Sequence, residues 1–285
     1  VRDSHASKSD EAHEQMNDTI TAAILGLVEG ATEFLPVSST GHLIVAGNLL
    51  GFVGPVADCF EVFIQLGAIL AVVVLYWRRF LNLVPGVTPV SSRSPAFAGW
   101  RGILMLIITT APALVIGAIA HKAIKTYLFS PLTVAIGLAV GAVAILLVEK
   151  FKPNARTKSL DAMTYPQVLA VGICQCFSMW PGMSRSACTI LGGLLAGADR
   201  KVATEYSFLA AVPVMLAAVS YDFYKHWSIL RVEDLELFVV GFAVSFVSAG
   251  IAVKTFIGLV QRWSLNPYAW YRLAIAPLIY FFMRS

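Results

Sequence analysis

The apolar runs of this chain come in two lengths, and that decides most of what it can fold into. Long runs occupy about 60–77, 102–121, 131–149, 205–224, 236–261 and 267–283; shorter ones occupy about 20–35, 42–52, 166–180 and 187–198. A helix needs about 20 residues to cross a hydrocarbon core about 30 Å thick, so the first set reads as transmembrane helices and the second as half-spans. The short runs form two pairs, each joined by Pro, Gly and Ser, which is how a re-entrant helical hairpin looks in sequence. The broken backbone of such a hairpin must be buried in protein or line a wet cavity. The expected fold is all-α: a polytopic membrane domain of about six transmembrane helices plus two re-entrant hairpins.

Composition excludes the alternatives. Hydrophobic residues make up 58% of the chain and charged residues 13%, with a mean hydropathy of +0.74. Soluble domains have about 45–50% apolar and about 25% charged residues. The net charge of +4 is spread over short inter-helix stretches and forms no basic face, so no nucleic-acid partner is expected. Cys59, Cys174, Cys176 and Cys188 sit in apolar surroundings without zinc-ligand or disulfide spacing. The first fifteen residues are polar and read as a tag remnant or disordered tail, with Met16 as a native start and 16–285 as one membrane domain.

The two halves of that domain resemble each other. Gly26-Leu27-Val28-Glu29 parallels Gly172-Ile173-Cys174-Gln175, the connector LPVSSTG parallels WPGMSRSA, and Glu61 and Glu205 each open the next long run. Three spans and one hairpin per half would give two copies of opposite orientation, about 18–125 and 130–283, with the site near their interface. Arg78, Arg79, Arg93 and Arg101 in one loop and Lys150, Lys152, Arg156 and Lys158 in another fall on one side, which the positive-inside rule makes cytoplasmic. A loop carrying Lys122 and Lys125 would then be external.

The two connectors carry the chemistry. EGATE puts Glu29 and Glu33 one helical turn apart. Carboxylates at membrane depth cost about 2.5 kcal/mol or more each unless offset. A divalent cation such as Mg²⁺ or Ca²⁺, which takes oxygen ligands, would offset them; a helix end dipping into water would do so as well. Ser38, Ser39, Thr40, Gly41 and His42 follow Pro36 at the start of the next half-helix. One hydroxyl there is accounted for by an N-cap. The rest suit anion binding and a serine nucleophile with His42 as general base or acid, although a structural histidine explains His42 equally well. In the second connector Arg185 stands between Ser184 and Ser186. Its planar fork suits phosphate oxygens, or an ion pair with a glutamate of the first hairpin. Glu61 and Gln65, one turn apart, either face the same cavity or simply start a helix.

On these residues, EGATEFLPVSSTGH and PGMSRSACTI, the chain resembles the undecaprenyl-diphosphate phosphatase family of the bacitracin-resistance type, from about Asp18 to the C-terminus. The resemblance implies a bacterial inner-membrane enzyme that removes the terminal phosphate of a C55 lipid diphosphate and so recycles the lipid carrier of cell-wall synthesis. It also implies a periplasm-facing site and a homodimer. The family's paired acids match Glu29 and Glu33, its Ser-Ser-Thr-Gly-His stretch matches Ser38 to His42, and its Ser-Arg-Ser stretch matches Ser184 to Ser186, with Thr189 beyond. Many members have Gly where this chain has Ala187.

The expected mechanism assigns Glu29 and Glu33 to the cation, Arg185 to the transferring phosphoryl group, and Ser38, Thr40, Ser184, Ser186 and Thr189 to the remaining oxygens. Ser39 is the expected nucleophile and His42 the proton carrier. Direct attack by water, Ser38 in place of Ser39, and Glu29 as a general base all stay open at this level. A lipid transporter is the rival class, since broken helices in inverted repeats also serve carriage. A structural scaffold would leave the intramembrane charges without purpose.

Overall fold

The computed structural model describes residues 8–86, 97–128, 130–226 and 234–284. Arg93 and residues 1–7 lie outside this set, and residues 8–15 form the start of the first helix. The described residues form eleven α-helices: α1 (Lys8–Thr32), α2 (Ser39–Leu50), α3 (Pro55–Leu75), α4 (Trp77–Leu83), α5 (Gly99–Tyr127), α6 (Pro131–Phe151), α7 (Tyr165–Cys176), α8 (Arg185–Leu195), α9 (Arg200–His226), α10 (Leu235–Val260) and α11 (Asn266–Arg284). Their boundaries follow local chemistry. Pro55 and Pro131 sit in the first turns of α3 and α6, and Ser130 and Thr133 cap α6 reciprocally. Thr164 and Gln167 do the same for α7.

Five helices, α3, α5, α6, α9 and α10, are long and apolar enough to cross a membrane. The sixth expected span, α11, has 19 residues, but Asn266, Tyr268, Tyr271 and Arg272 make its first half too polar to count by composition. α11 packs on α6, and Arg272 of that half is wholly buried. Outward faces of the long helices stay apolar, with Ile119 81%, Ile251 63% and Leu147 51% exposed, as a lipid solvent requires. Lys122 lies within α5 instead of in a loop.

The helices pack as two matching series. Where α1 lies on α10, α7 lies on α5; where α3 meets α10, α9 meets α5; where α2 meets α11, α8 meets α6. The close crossings depend on small residues. A Cβ on Gly26 of α1 would come 2.5 Å from the carbonyl oxygen of Gly241, and one on the matching Gly172 of α7 would come 2.7 Å from that of Thr109.

Arg79 bonds Asp161 at 2.9 Å, Arg101 reaches the Met163 carbonyl at 3.3 Å, and Arg200 bonds Glu149 at 2.7 Å. These contacts gather the basic loops at one end of the bundle. The α7/α8 hairpin opens at that end, where the Gly197 carbonyl accepts from Arg156 and Thr157 at 2.8 and 3.1 Å. The α1/α2 hairpin opens at the other end, because α3 leads from it across 21 residues, about 31 Å at 1.5 Å per residue, to the basic loops. The hairpin tips, connectors 33–38 and 177–184, therefore meet inside the bundle.

Candidate active site

Both connectors end in the same strained turn. Ser38 has φ 70° and ψ 94°, and Ser184 has φ 70° and ψ 118°. These two serines are the non-glycine residues with positive φ among the described residues. A left-handed conformation costs an ordinary side chain roughly 1–2 kcal/mol, and such strain gathers at functional sites. In each case the turn aims the first amides of a half-helix, α2 or α8, towards the other connector. Ser184 also caps α8, its Oγ accepting from the Ala187 amide at 3.2 Å.

The connectors are joined across their tips. Arg185 Nη2 donates to Glu33 Oε1 at 3.1 Å, and Ser39 Oγ donates to Glu33 Oε2 at 2.5 Å, a charge-assisted length. Ser186 Oγ donates to the Leu35 carbonyl at 2.7 Å. Arg185 is further fixed by the Ser207 carbonyl at 3.2 Å and by the Phe34 ring, 5.4 Å below its guanidinium carbon. Its Nε is buried and has no partner among the described residues. One carboxylate thus holds a serine hydroxyl and an arginine at the same time, and the serine it holds is Ser39, not Ser38. Arg185 makes the ion pair between hairpins that was one of its two readings from sequence.

These groups open onto a cavity of about 620 Å³. Glu33, Ser38, Ser39, Thr40, Ser184 and Arg185 line its polar part, joined by Gln65, Gln175 and Ser178. Its remaining wall is mostly apolar and comes mainly from the C-terminal halves of α5, with Ala113, Leu114 and Gly117, and of α9, with Val214, Met215 and Ala218. Since the N-termini of α5 and α9 lie at the basic end, the cavity opens away from it. Leu114 also lines an almost wholly apolar crevice of about 360 Å³ with Ile103, Ile107 and Pro213.

Four of the expected site residues do not line this cavity. Ser186 is wholly buried and spends its hydroxyl on Leu35 and Ser184. Thr189, equally buried, bonds Ser207 Oγ at 2.6 Å and the Arg185 carbonyl at 2.9 Å, so it supports the arginine's turn of helix. His42 points to α11: Nδ1 lies 2.8 Å from the Ser38 carbonyl and Nε2 2.6 Å from the Tyr271 hydroxyl, and the two rings stack. Both ring nitrogens are occupied, and no bond joins His42 to Ser39; the proton acceptor within reach of that hydroxyl is Glu33.

Glu29, the fourth, is 0% exposed, and neither carboxylate oxygen has a hydrogen-bond partner among the described residues. The charged groups acting on it are Glu33, Glu61 and Arg185. A carboxylate buried without donors needs a cation or a proton. Among the described residues no cluster of three His, Cys, Asp or Glu is placed to hold a metal unaided. Two neighbouring carboxylates still fit Mg²⁺ or Ca²⁺, because such ions fill the rest of their shell with substrate phosphate oxygens and water.

Sequence reasoning missed Gln175, Ser207, Tyr271 and Arg272. Gln175 was legible as the counterpart of Glu29 in the second half; its Oε1 is buried without a partner among the described residues. The other three sit in ordinary-looking helices, and their importance comes from packing.

The chain is 59% identical over 268 residues to an undecaprenyl-diphosphatase of Nitratidesulfovibrio vulgaris, covering 94% of this chain and 99% of the relative. It is 58% identical over 269 residues to one from Solidesulfovibrio magneticus, with the same coverage. An undecaprenyl-diphosphatase 1 of Bacillus thuringiensis is 47% identical over 268 residues, again covering 94% and 99%. The family model described as bacitracin resistance protein BacA matches residues 22–278, a span that contains both connectors and all or part of every helix that packs around them, and the chain belongs to that family.

Proposed function

We propose that the protein hydrolyses undecaprenyl diphosphate to undecaprenyl phosphate and phosphate in the bacterial inner membrane. By doing so it returns the lipid carrier to cell-wall synthesis and confers bacitracin resistance. The observation that carries this reading is the Ser39–Glu33–Arg185 constellation at the polar end of a half-apolar cavity. Carriage alone would not need a hydroxyl held against a carboxylate at 2.5 Å.

The diphosphate lies against the amides of Ser39, Thr40 and Arg185 and the hydroxyls of Ser38 and Ser184, with Arg185 gripping the terminal phosphoryl group. In the first step the Ser39 proton passes to Glu33, Oγ bonds to the terminal phosphorus, and the bond from that phosphorus to the bridging oxygen breaks. The lipid monophosphate leaves with the bridging oxygen and takes the proton from Glu33. In the second step Glu33 removes a proton from water, the water oxygen bonds to the same phosphorus, and Ser39 Oγ departs and recovers the proton. Glu29, whose two oxygens have no partner among the described residues, would hold the divalent cation beside Glu33, and the cation would neutralise charge on the phosphate oxygens.

The isoprenoid tail follows the apolar wall past Leu114 into the crevice between α5 and α9. With the basic loops cytoplasmic, the cavity mouth faces the periplasm. Rapid quenching of the protein with terminally radiolabelled undecaprenyl diphosphate tests the reading. Acid-stable label on Ser39, absent in Ser39→Ala, is expected. Full turnover by Ser39→Ala would refute the covalent step and favour direct attack by water.

A further inference from the structure

Arg272, near the middle of α11, is wholly buried. Among the described residues it forms no ion pair. All five of its N–H donors go to backbone carbonyls. Nε bonds Leu138 O at 3.1 Å, Nη1 bonds Pro36 O at 3.3 Å and Met183 O at 3.0 Å, and Nη2 bonds Gly137 O at 3.3 Å and Gly182 O at 2.7 Å. Two of those carbonyls belong to α6, one to the first connector and two to the second. A lysine, with three donors, would leave at least two of them unmet. The fit is tight enough to require glycine opposite: a Cβ on Gly141 of α6 would lie 2.0 Å from Nη2 and 3.1 Å from Met183 O.

The connector carbonyls that it holds stand just before the strained turns. Pro36 precedes Ser38 by two residues, and Met183 directly precedes Ser184, both serines having φ 70°. The Met183–Ser184 peptide is the more telling of the two. Its oxygen is fixed by the guanidinium, and its N–H, that of Ser184, donates to no acceptor among the described residues and belongs to a residue that lines the cavity. A cation on the carbonyl of an amide polarises its N–H and strengthens it as a donor. The neighbouring Tyr271 acts on the other turn through His42, which in turn meets the Ser38 carbonyl. One turn of α11 therefore grips both half-helix starts.

We infer that Arg272 is a positioning residue for the phosphoryl transfer. It locks the two connectors in their left-handed turns and primes the Ser184 amide for the oxyanion of the transition state, while its unpaired charge adds a fixed positive field behind the site. This rests on the phosphatase reading above.

The test is steady-state phosphate release from undecaprenyl diphosphate by native protein, Arg272→Lys and Gly141→Ala, each normalised to folded protein by size exclusion and thermal unfolding. Arg272→Lys is expected to lose about 10²-fold in kcat with KM within about threefold, since a misplacement of about 1 Å in a reacting group costs that much while the groups that bind the substrate are untouched. Gly141→Ala, which keeps the charge and pushes the guanidinium, should lose at least about tenfold in kcat. Gly250→Ala, where a Cβ meets nothing within 4 Å, serves as the control. If Arg272→Lys does not fold, Gly141→Ala decides. Lower unfolding temperatures with native kcat per folded molecule, or a change in KM alone, would overturn the inference. Native protein that releases no phosphate would overturn the phosphatase reading and this inference with it.

Discussion

Replacing Glu33 with glutamine separates chemistry from architecture. The amide keeps the shape of the side chain and can still accept from Arg185 through Oε1, as the carboxylate does at 3.1 Å. It cannot take the proton that Ser39 offers at 2.5 Å. A positioned general base is worth about 10²–10⁴-fold. At the middle of that range the loss is about 10³-fold in kcat, or about 4 kcal/mol at 1.36 kcal/mol per tenfold. The stability cost is smaller, because Arg185 keeps the Ser207 carbonyl and the Phe34 ring. Its side chain, 12% exposed, exchanges a carboxylate partner for an amide, so the loss stays below the about 1.5–3 kcal/mol of a whole hydrogen bond to a charged group. Phosphate release by detergent-purified Glu33→Gln, normalised to the folded fraction, reads the first quantity, and thermal unfolding of the same sample reads the second. Turnover above about a tenth of the native rate, which leaves less than about 1.4 kcal/mol for Glu33, would refute its role as base.

Three other outcomes follow from named contacts. Ser38→Gly should retain turnover within about tenfold and raise the unfolding temperature, because glycine relieves the φ of 70°, whereas Ser39→Gly should lose at least about 10³-fold; phosphate release and thermal unfolding check both. Leu114→Trp, at the junction of cavity and crevice, should lower kcat/KM for the C55 lipid relative to farnesyl diphosphate by about tenfold or more, and an unchanged ratio would move the tail elsewhere. Gly26→Ala should destabilise the α1–α10 crossing by about 1–3 kcal/mol, since its Cβ would meet the Gly241 carbonyl at 2.5 Å; equilibrium unfolding in detergent measures it.

What the sequence carried legibly was whatever depends on periodicity and punctuation. The lengths of the apolar runs placed the long helices and both hairpins, and Pro36, Pro181 and the serines marked the connectors. The limits came where tertiary context decides. α11 looks like a sixth span, yet its first half is polar because it supports the site through Tyr271 and Arg272. His42, Ser186 and Thr189 carry groups that suit a phosphate site, but which partner a hydroxyl or imidazole meets is set by helix rotation, and here the partners are Tyr271, Leu35 and Ser207. Residue type narrowed the chemistry to a few side chains; packing chose among them.

The most direct measurement is phosphate release from undecaprenyl diphosphate by the purified native chain and by Arg185→Ala, each with Mg²⁺ or Ca²⁺ and with chelator. Because the arginine and the paired acids come from opposite hairpins, a single centre predicts turnover by the native chain that chelation or Arg185→Ala each abolishes, with the variant still folded. Native protein that binds the lipid diphosphate without releasing phosphate, or folded Arg185→Ala at the native rate, would contradict it.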